Sequence, residues 1–309
     1  NSMDARRAQD LLKHITQDED YGLKAMQKAS LAECISMVNN VLPECQKKAY
    51  EDGNDNDAGF FSKMTENYRA LKEENLLWIA YTDLTGYPYM IDGDMIVIYD
   101  FAAAKQIEAD LNKAGYRVTF GNVDKDAFKT EIAHMYRNGY KKIRFMDGKM
   151  EPFVVEREEL YPYEEFFKDD YITNPGLQAA MLNYFQEFRK QAPLENRGDI
   201  LKRREQIMID MMLNAEYMVP CVKEETEEEV EISHHFIDIT DRVTEKEEGE
   251  HVIAIPVFTD GFEMDKCYEG HHENMLYKFD ELVSLMDELG ASGIIINCLG
   301  ISYFMRTAL

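Results

Sequence analysis

The feature that most constrains the fold is an order of structural signals that occurs twice along the chain. In each copy, a β-type run is followed by helical sequence, an amphipathic stretch, a glycine and a second apolar run. The copies comprise residues 96–100, 128–138, Gly139 and 143–146, and residues 255–258, 279–289, Gly290 and 294–296. Aligning them matches Phe128 with Phe279, Met135 with Met286, Gly139 with Gly290 and Ile143 with Ile294. We interpret this as an internal repeat, although helix–glycine–strand units also recur in unrelated α/β sequences.

The order of elements predicts an α+β or α/β fold with two similar mixed-sheet modules. Apolar residues recur at helical spacing before residue 75, which predicts a helical N-terminal segment. From there on, β-branched and aromatic runs alternate with amphipathic stretches, which is typical of a sheet with helices packed against it. We therefore divide the chain into a helical segment (1–74), a first module (75–172) and a second module (173–309).

The charge of the chain restricts the classes of partner. It carries 59 Asp and Glu residues against 34 Lys and Arg residues, for a formal net charge of −25. This charge repels nucleic acid phosphates and anionic lipids, so we expect neither nucleic acid nor membrane binding. A protein or peptide partner with a basic surface is compatible with it, although the charge can also serve solubility alone.

The cysteines and the apolar runs indicate a cytoplasmic protein. The five cysteines are odd in number and form no CxxC pair, which is typical of free thiols in a reducing compartment. We expect neither a bilayer-spanning run of about 20 apolar residues nor a secretory signal. Cys298 follows a buried-type strand and no histidine is placed beside it, so we expect a buried thiol rather than a nucleophile.

Four segments of the second module resemble one protein family. They are residues 215–220, with the pair Val219-Pro220, and residues 253–260, 279–282 and 293–297. In this order they resemble the N-terminal-type domain of the bacterial SseB family, named for enhanced serine sensitivity. The similarity covers residues 174–305, with a fainter one over 76–148, where Ala80 and Val97 stand in place of the prolines. The resemblance implies two tandem α/β modules of undefined biochemical activity and supplies no catalytic residue.

The candidate ligand-binding residues are Thr259, Asp260 and Asn297. They follow the apolar runs 253–258 and 293–296, and α/β proteins often bind ligands at the carboxyl ends of such strands. The alternative is that these side chains satisfy backbone groups, because Asp260 and Glu263 match a capping box at a helix start.

A loose group of Cys267, His271 and His272 gives weak candidates for metal ligands. Structural zinc sites usually have two clear ligand pairs, whereas this group is one cluster in a loop by composition, so we expect no bound metal. No nucleotide-binding, hydrolase or zinc-protease motif occurs in the sequence, and no cofactor is predicted.

These observations favour a non-enzymatic cytoplasmic binding or regulatory protein with a protein or peptide partner. The first alternative is a small-molecule enzyme or sensor with its site at the strand ends near Thr259, Asp260 and Asn297. The second is a self-associating structural protein, in which the N-terminal helices form a homo-oligomer.

Overall fold

The fold of the chain is α+β, with helices packed on mixed sheets, as the sequence predicts. The computed structural model describes residues 4–29, 31–74, 77–98, 101–146, 152–270 and 272–306. A helical segment comes first, and two sets of strands and helices follow it. In the described residues, no helix combines the length and the apolar character needed to cross a membrane.

The N-terminal segment is helical. It contains α1 (Ala5–Ile15), α2 (Glu19–Lys28), α3 (Leu31–Ser36), a π-helical turn (Met37–Val41), α4 (Leu42–Glu51) and α5 (Asp55–Glu74). Asp4 and Asp18 accept hydrogen bonds from backbone N–H groups in the first turns of α1 and α2, so each is an N-cap. The helices bury a hydrophobic cluster of their own, which includes Leu11, Met37 and Met64.

The first set of strands forms a seven-stranded mixed sheet. The strands are β1 (Leu77–Thr82), β2 (Tyr87–Pro88), β3 (Met90–Ile91), β4 (Asp94–Ile98), β5 (Val118–Val123), β6 (Lys142–Met146) and β7 (Phe153–Glu156). Their order is β2-β1-β4-β6-β7, with β5 paired to β1 and β3 paired to β4. Among the described pairs of this sheet, only β4 and β6 are parallel. The helices of this half are α6 (Phe101–Lys113), α7 (Lys125–Asn138) and α8 (Arg157–Leu160).

Two helices, α9 (Pro175–Phe188) and α10 (Gly198–Leu213), connect the halves. The strands that follow are β8 (Glu216–Glu225), β9 (Val230–His234), β10 (Ile237–Asp238), β11 (Ile253–Val257), β12 (Asn274–Lys278), β13 (Gly293–Ile296) and β14 (Tyr303–Arg306). They form two sheets, β10-β11-β13-β14 and β12-β8-β9, which meet at a bridge between Met218 and Phe258. The helices of this half are α11 (Gly261–Asp265) and α12 (Phe279–Leu289).

The strand pairing of the first half recurs in the second. In chain order, β1 to β7 correspond to β8 to β14, and each pair in the first set has a counterpart with the same direction. The parallel pair β4 and β6, with α7 between them in the chain, corresponds to β11 and β13 with α12 between them. The antiparallel pair of β1 and β4 corresponds to the bridge between Met218 and Phe258. The repeated order of signals in the sequence is therefore accompanied by a repeated topology.

The largest hydrophobic cluster crosses from one half to the other, and we call it the shared core. It includes Val97 and Phe145 of the first sheet, Met181 of α9, and Ile255 and Ile294 of the second half. Buried apolar residues of α9 and α10 belong to the same cluster. The division of the chain at residues 172 and 173 stays a prediction, since apolar packing is continuous across it.

Gly139 and Gly290 end α7 and α12 with φ values of 75° and 65°. A Cβ at Gly290 would meet no atom within 4 Å, whereas a Cβ at Gly139 would collide with the Pro175 carbonyl oxygen and lie 2.7 Å from Ala179 Cβ. We expect Gly290→Ala to lower the free energy of unfolding by about 1 kcal/mol because of its left-handed backbone. Gly139→Ala adds the collision and should lose about 2 kcal/mol more. Urea denaturation measures both, and equal losses would contradict a tight contact between α7 and α9.

Candidate functional site

The three predicted ligand-binding residues lie together at the carboxyl ends of two parallel strands. Thr259 and Asp260 come after β11, and Asn297 directly follows β13. The Asn297 side chain accepts a hydrogen bond from the Thr259 backbone N–H (3.0 Å) and donates one to Thr259 Oγ1 (2.9 Å). Thr259 Oγ1 donates to Asp260 Oδ2 at 3.0 Å. The side chains therefore satisfy one another across the strand ends.

These side chains are closed off from solvent. Thr259, Asp260 and Asn297 each have 0% of their surface exposed. Asn297 Nδ2 also donates to Gln178 Oε1 on α9 (3.2 Å), and Gln178 Nε2 donates to Asn138 Oδ1 at the end of α7 (3.2 Å). The polar groups that sequence reasoning assigned to a ligand thus connect β11, β13, α9 and α7 inside the protein.

A buried arginine from the first half pairs with Asp260. Arg137 Nη1 donates to both carboxylate oxygens at 3.0 Å, and the two side chains are 2% and 0% exposed. The guanidinium lies 4.1 Å from the ring centre of Phe262, and its Nη2 is 3.1 Å from His134 Nδ1. Close pairing of this kind offsets part of the cost of taking both charges out of water, while Arg137 Nε is buried without a hydrogen-bond partner among the described residues. Sequence reasoning missed Arg137, because arginines in the last turn of an amphipathic helix are mostly exposed.

A second buried carboxylate, Glu263, lies beside this pair. It accepts hydrogen bonds from Lys266 Nζ (Oε2, 3.0 Å) and from the Tyr87 hydroxyl on β2 (Oε1). Lys266 Nζ also donates to Tyr87 Oη at 2.9 Å, and Glu263 Oε1 is 3.6 Å from Arg137 Nη1. We call Tyr87, Arg137, Asp260, Glu263 and Lys266 the buried ion cluster. Its two cations balance its two carboxylates, and Lys266, whose side chain is 28% exposed, lies at its solvent side.

Only half of the predicted capping box is formed at the start of α11. Asp260 Oδ1 accepts a hydrogen bond from the Glu263 backbone N–H at 3.0 Å, so Asp260 is the N-cap. The Glu263 carboxylate instead accepts from Tyr87 and Lys266. A charged donor and a phenol give a buried carboxylate stronger hydrogen bonds than a single backbone N–H does.

Burial governs the protonation of the groups around the buried ion cluster. Burial, and then the positive charges of Arg137 and Lys266, lower the pKa of His134 to about 4. Burial raises the pKa of Asp260, and Arg137 acts against this rise. Burial, and then the charge of Glu263, raise the pKa of Tyr87. At neutral pH, His134 is uncharged and Tyr87 keeps its proton. The charged side chains of the buried ion cluster pair with one another, which is a structural role.

The weak metal candidates have separate partners. Cys267 Sγ is 2.7 Å from Cys298 Sγ, and His272 Nε2 is 2.9 Å from His235 Nε2. His271 lies outside the described residues. Within the described ranges, no group of three or more His, Cys, Asp or Glu side chains is arranged to hold a metal ion.

A cleft of about 460 Å³ lies where α9 and α10 meet the first half. Its walls include the exposed apolar side chains of Ile207 and Met211. Thr259, Asp260 and Asn297 do not line it. This cleft and the predicted ligand site are therefore different places.

The hairpin of β8 and β9 presents a second kind of surface. Among the described residues, β9 pairs with β8 and has no partner on its other side. Val230 and Ile232 of β9 are 55% and 40% exposed. The register places them on the same face as Cys221, which is buried. Beyond the core, this face carries Val230 and Ile232 on β9 and the charged residues opposite them, Glu225 and Lys223, on β8.

Comparison of the chain with known proteins finds no matching family model. It also finds no matching curated protein and no matching solved structure. The resemblance to the SseB family therefore stays a prediction.

Breaking the Arg137–Asp260 pair leaves one buried charge without its partner. We expect Arg137→Met to lower the free energy of unfolding by about 3–5 kcal/mol. Asp260→Asn should cost less, because Arg137 Nη1 keeps the Glu263 carboxylate at 3.6 Å. The double variant should lose clearly less than the sum of the single losses, because the second change removes the group that the first left unpaired. Urea denaturation followed by circular dichroism measures these losses. Lys129→Met, an exposed cation on the same helix, is the control with a loss of about 1 kcal/mol or less. Additive losses would contradict the pairing.

His134 makes stability depend on pH. Its pKa is about 4 in the folded chain and about 6.5 when unperturbed, so the unfolded chain binds this proton more tightly. The contribution of neutral His134 to the free energy of unfolding is fully present above about pH 6.5. About 1–3 kcal/mol of it is lost as the pH falls towards 4, after allowance for the partial exposure of the ring. We expect His134→Gln to flatten this part of the profile of melting temperature between pH 7 and pH 4.5. If melting temperature changes equally with pH in the variant and the wild type, this pH dependence does not come from His134.

Proposed function

We propose that this chain is a non-enzymatic cytoplasmic binding or regulatory protein of the SseB family, built of two tandem modules, and that it binds a protein or peptide with a basic surface. The observation that carries the proposal is the outer edge of β9, which has no neighbouring strand among the described residues, on an acidic hairpin. The burial of Thr259, Asp260 and Asn297 supports a non-enzymatic role, because groups that act on a substrate have to be reachable from a cleft.

The outer edge of β9 offers backbone hydrogen-bonding groups to an incoming strand. Edges of this kind bind extended peptides by β-strand addition. Proteins that avoid such pairing place lysine, proline or a bulge on the edge, or cover it. In β9 the sequence is Val-Glu-Ile-Ser-His, which has no proline or lysine and alternates apolar with polar residues.

The two faces of the hairpin specify what kind of strand fits. On one face, Val230 and Ile232 offer apolar contact to alternate side chains of the added strand. On the other face, Glu231 of β9 lies directly opposite Glu224 of β8. An added strand lies beside β9 itself, so one that alternates apolar and basic residues meets Val230 and Ile232 on one side and the Glu231 carboxylate on the other.

Charge selects a basic partner over a second copy of the chain. Between Glu216 and Glu250 there are thirteen Asp and Glu residues against three Lys and Arg residues. Like charges opposite one another, such as Glu224 and Glu231, destabilise the hairpin. A basic strand relieves this repulsion, whereas β9 of a second copy would add to it.

The self-associating alternative has less support. The N-terminal helices pack Leu11, Ile15, Met26 and Leu42 into their own cluster, so these apolar side chains are covered within one chain. Among the described residues, the most exposed pair of apolar side chains on an edge strand is instead Val230 and Ile232 of β9, in the acidic hairpin.

A ten-residue peptide of alternating valine and lysine is the probe that tests this proposal. We expect it to bind the full chain in fluorescence anisotropy and to bind more weakly as salt is raised. A valine–glutamate peptide should not bind. A valine–lysine peptide with central prolines should bind at least about tenfold more weakly, because proline donates no ladder hydrogen bond.

Two pairs of substitutions locate the surface. Glu224→Lys with Glu231→Lys should weaken binding at low salt by about tenfold, or roughly 1.4 kcal/mol. Asp169→Lys with Asp170→Lys makes the same change of charge in an exposed turn elsewhere and should leave the affinity nearly unchanged. Equal losses in both variants, or equal binding of the proline peptide, would mean attraction to net charge alone and would overturn the proposal.

A further inference from the structure

Two cysteines lie in contact beside the second parallel strand pair. Cys267 comes shortly after α11, and Cys298 follows Asn297 at the end of β13. Their Sγ atoms are 2.7 Å apart, and both cysteines are free thiols. A disulfide has a sulfur–sulfur distance of about 2.05 Å, so a displacement of less than about 1 Å separates this pair from a covalent bond.

The two thiols differ in their access to solvent. Cys298 is buried in one hydrophobic cluster with Phe258, Met264 and Ile295. Burial, and then the hydrogen bond with Cys267, raise the pKa of the Cys298 thiol. Cys267 is only half-buried. An oxidant that arrives from solvent therefore reaches Cys267 first, with Cys298 in contact with its sulfur.

We propose that Cys267 and Cys298 form a site of reversible thiol oxidation, at which a hydroperoxide converts the two thiols to an intramolecular disulfide. The Cys267 thiolate attacks one peroxide oxygen and the O–O bond breaks, which gives a sulfenic acid and reduces the peroxide to an alcohol or water. The Cys298 sulfur then attacks the Cys267 sulfur, the S–O bond breaks, and the oxygen leaves as water. Two thiols and one hydroperoxide thus give one disulfide, one alcohol or water, and one further water.

The bond would close a loop that contains β12, α12 and β13, and it would tie the end of α11 to the end of β13. A small dithiol reverses it, so in a reducing compartment the pair stays reduced until a peroxide appears. This inference does not depend on the peptide-binding proposal, since Cys267 and Cys298 are not part of the hairpin of β8 and β9.

Peptide mapping after peroxide treatment tests the proposal on the full chain. The protein is treated with hydrogen peroxide, remaining thiols are alkylated, and a tryptic digest is analysed without reduction. Trypsin cuts after Lys266, Lys278 and Arg306, so the expected product links residues 267–278 to residues 279–306. Dithiothreitol should remove this product. Cys45→Ser, which deletes the other half-buried thiol, should leave it unchanged.

Single variants distinguish the roles of the two thiols. In Cys298→Ser, Cys267 should accumulate as sulfenic and sulfinic acid, whereas in Cys267→Ser, Cys298 should remain unmodified over the same time. If a variant fails to fold, the native wild-type protein is treated with iodoacetamide instead. We expect Cys267 to be alkylated first and the cross-link to be lost as a result. The proposal is overturned if Cys298 reacts before Cys267. It is also overturned if no cross-link forms at a peroxide dose that oxidises free cysteine in the same tube.

Discussion

The buried pair of Arg137 and Asp260 is the interaction on which the arrangement of the two halves depends. Arg137 belongs to α7 of the first half, and Asp260 is the N-cap of α11 in the second. Inside the protein the Asp260 carboxylate is paired with a single nitrogen, Arg137 Nη1, which donates to both of its oxygens and also lies 3.6 Å from Glu263 Oε1. Glu263 and Lys266 extend this constraint to Tyr87 on β2. Apolar packing in the shared core favours the association of the two halves. The buried ion cluster determines how α7 and β2 of the first half lie against α11 of the second.

The repeated topology makes the differences between the halves informative. The counterpart of β9 in the first half is β2, which has two residues and is buried. Tyr87 of β2 reaches Glu263, so the second half covers this part of the first sheet. In the second half, β8 and β9 are longer, β9 and the last four residues of β8 are exposed, and no described element covers β9. One copy therefore uses this position to join the halves, and the other leaves it open, which is why we place partner binding there.

Sequence patterns predicted the parts of this molecule that depend on neighbouring residues. The mixed sheets with packed helices, the glycine between each amphipathic stretch and the strand after it, and the placing of Thr259 and Asn297 at strand ends all follow from runs and spacing. The burial of Arg137 could not be predicted, because it depends on the second half packing over the end of α7. The contact between Cys267 and Cys298 depends likewise on how α11 folds against β13. Pairings between distant segments leave no periodic signal in a single sequence.

The shared core has a consequence for how the chain is made. Val97 and Phe145 of the first sheet belong to the same cluster as Met181 of α9 and Met208 of α10. A ribosome releases the first sheet well before it releases those helices, so the apolar surface of the sheet stays uncovered during that interval. Nascent chains in this state are the ones that chaperones bind. A pause in translation between residues 146 and 213 would lengthen that exposure, whereas a pause before residue 75 would not.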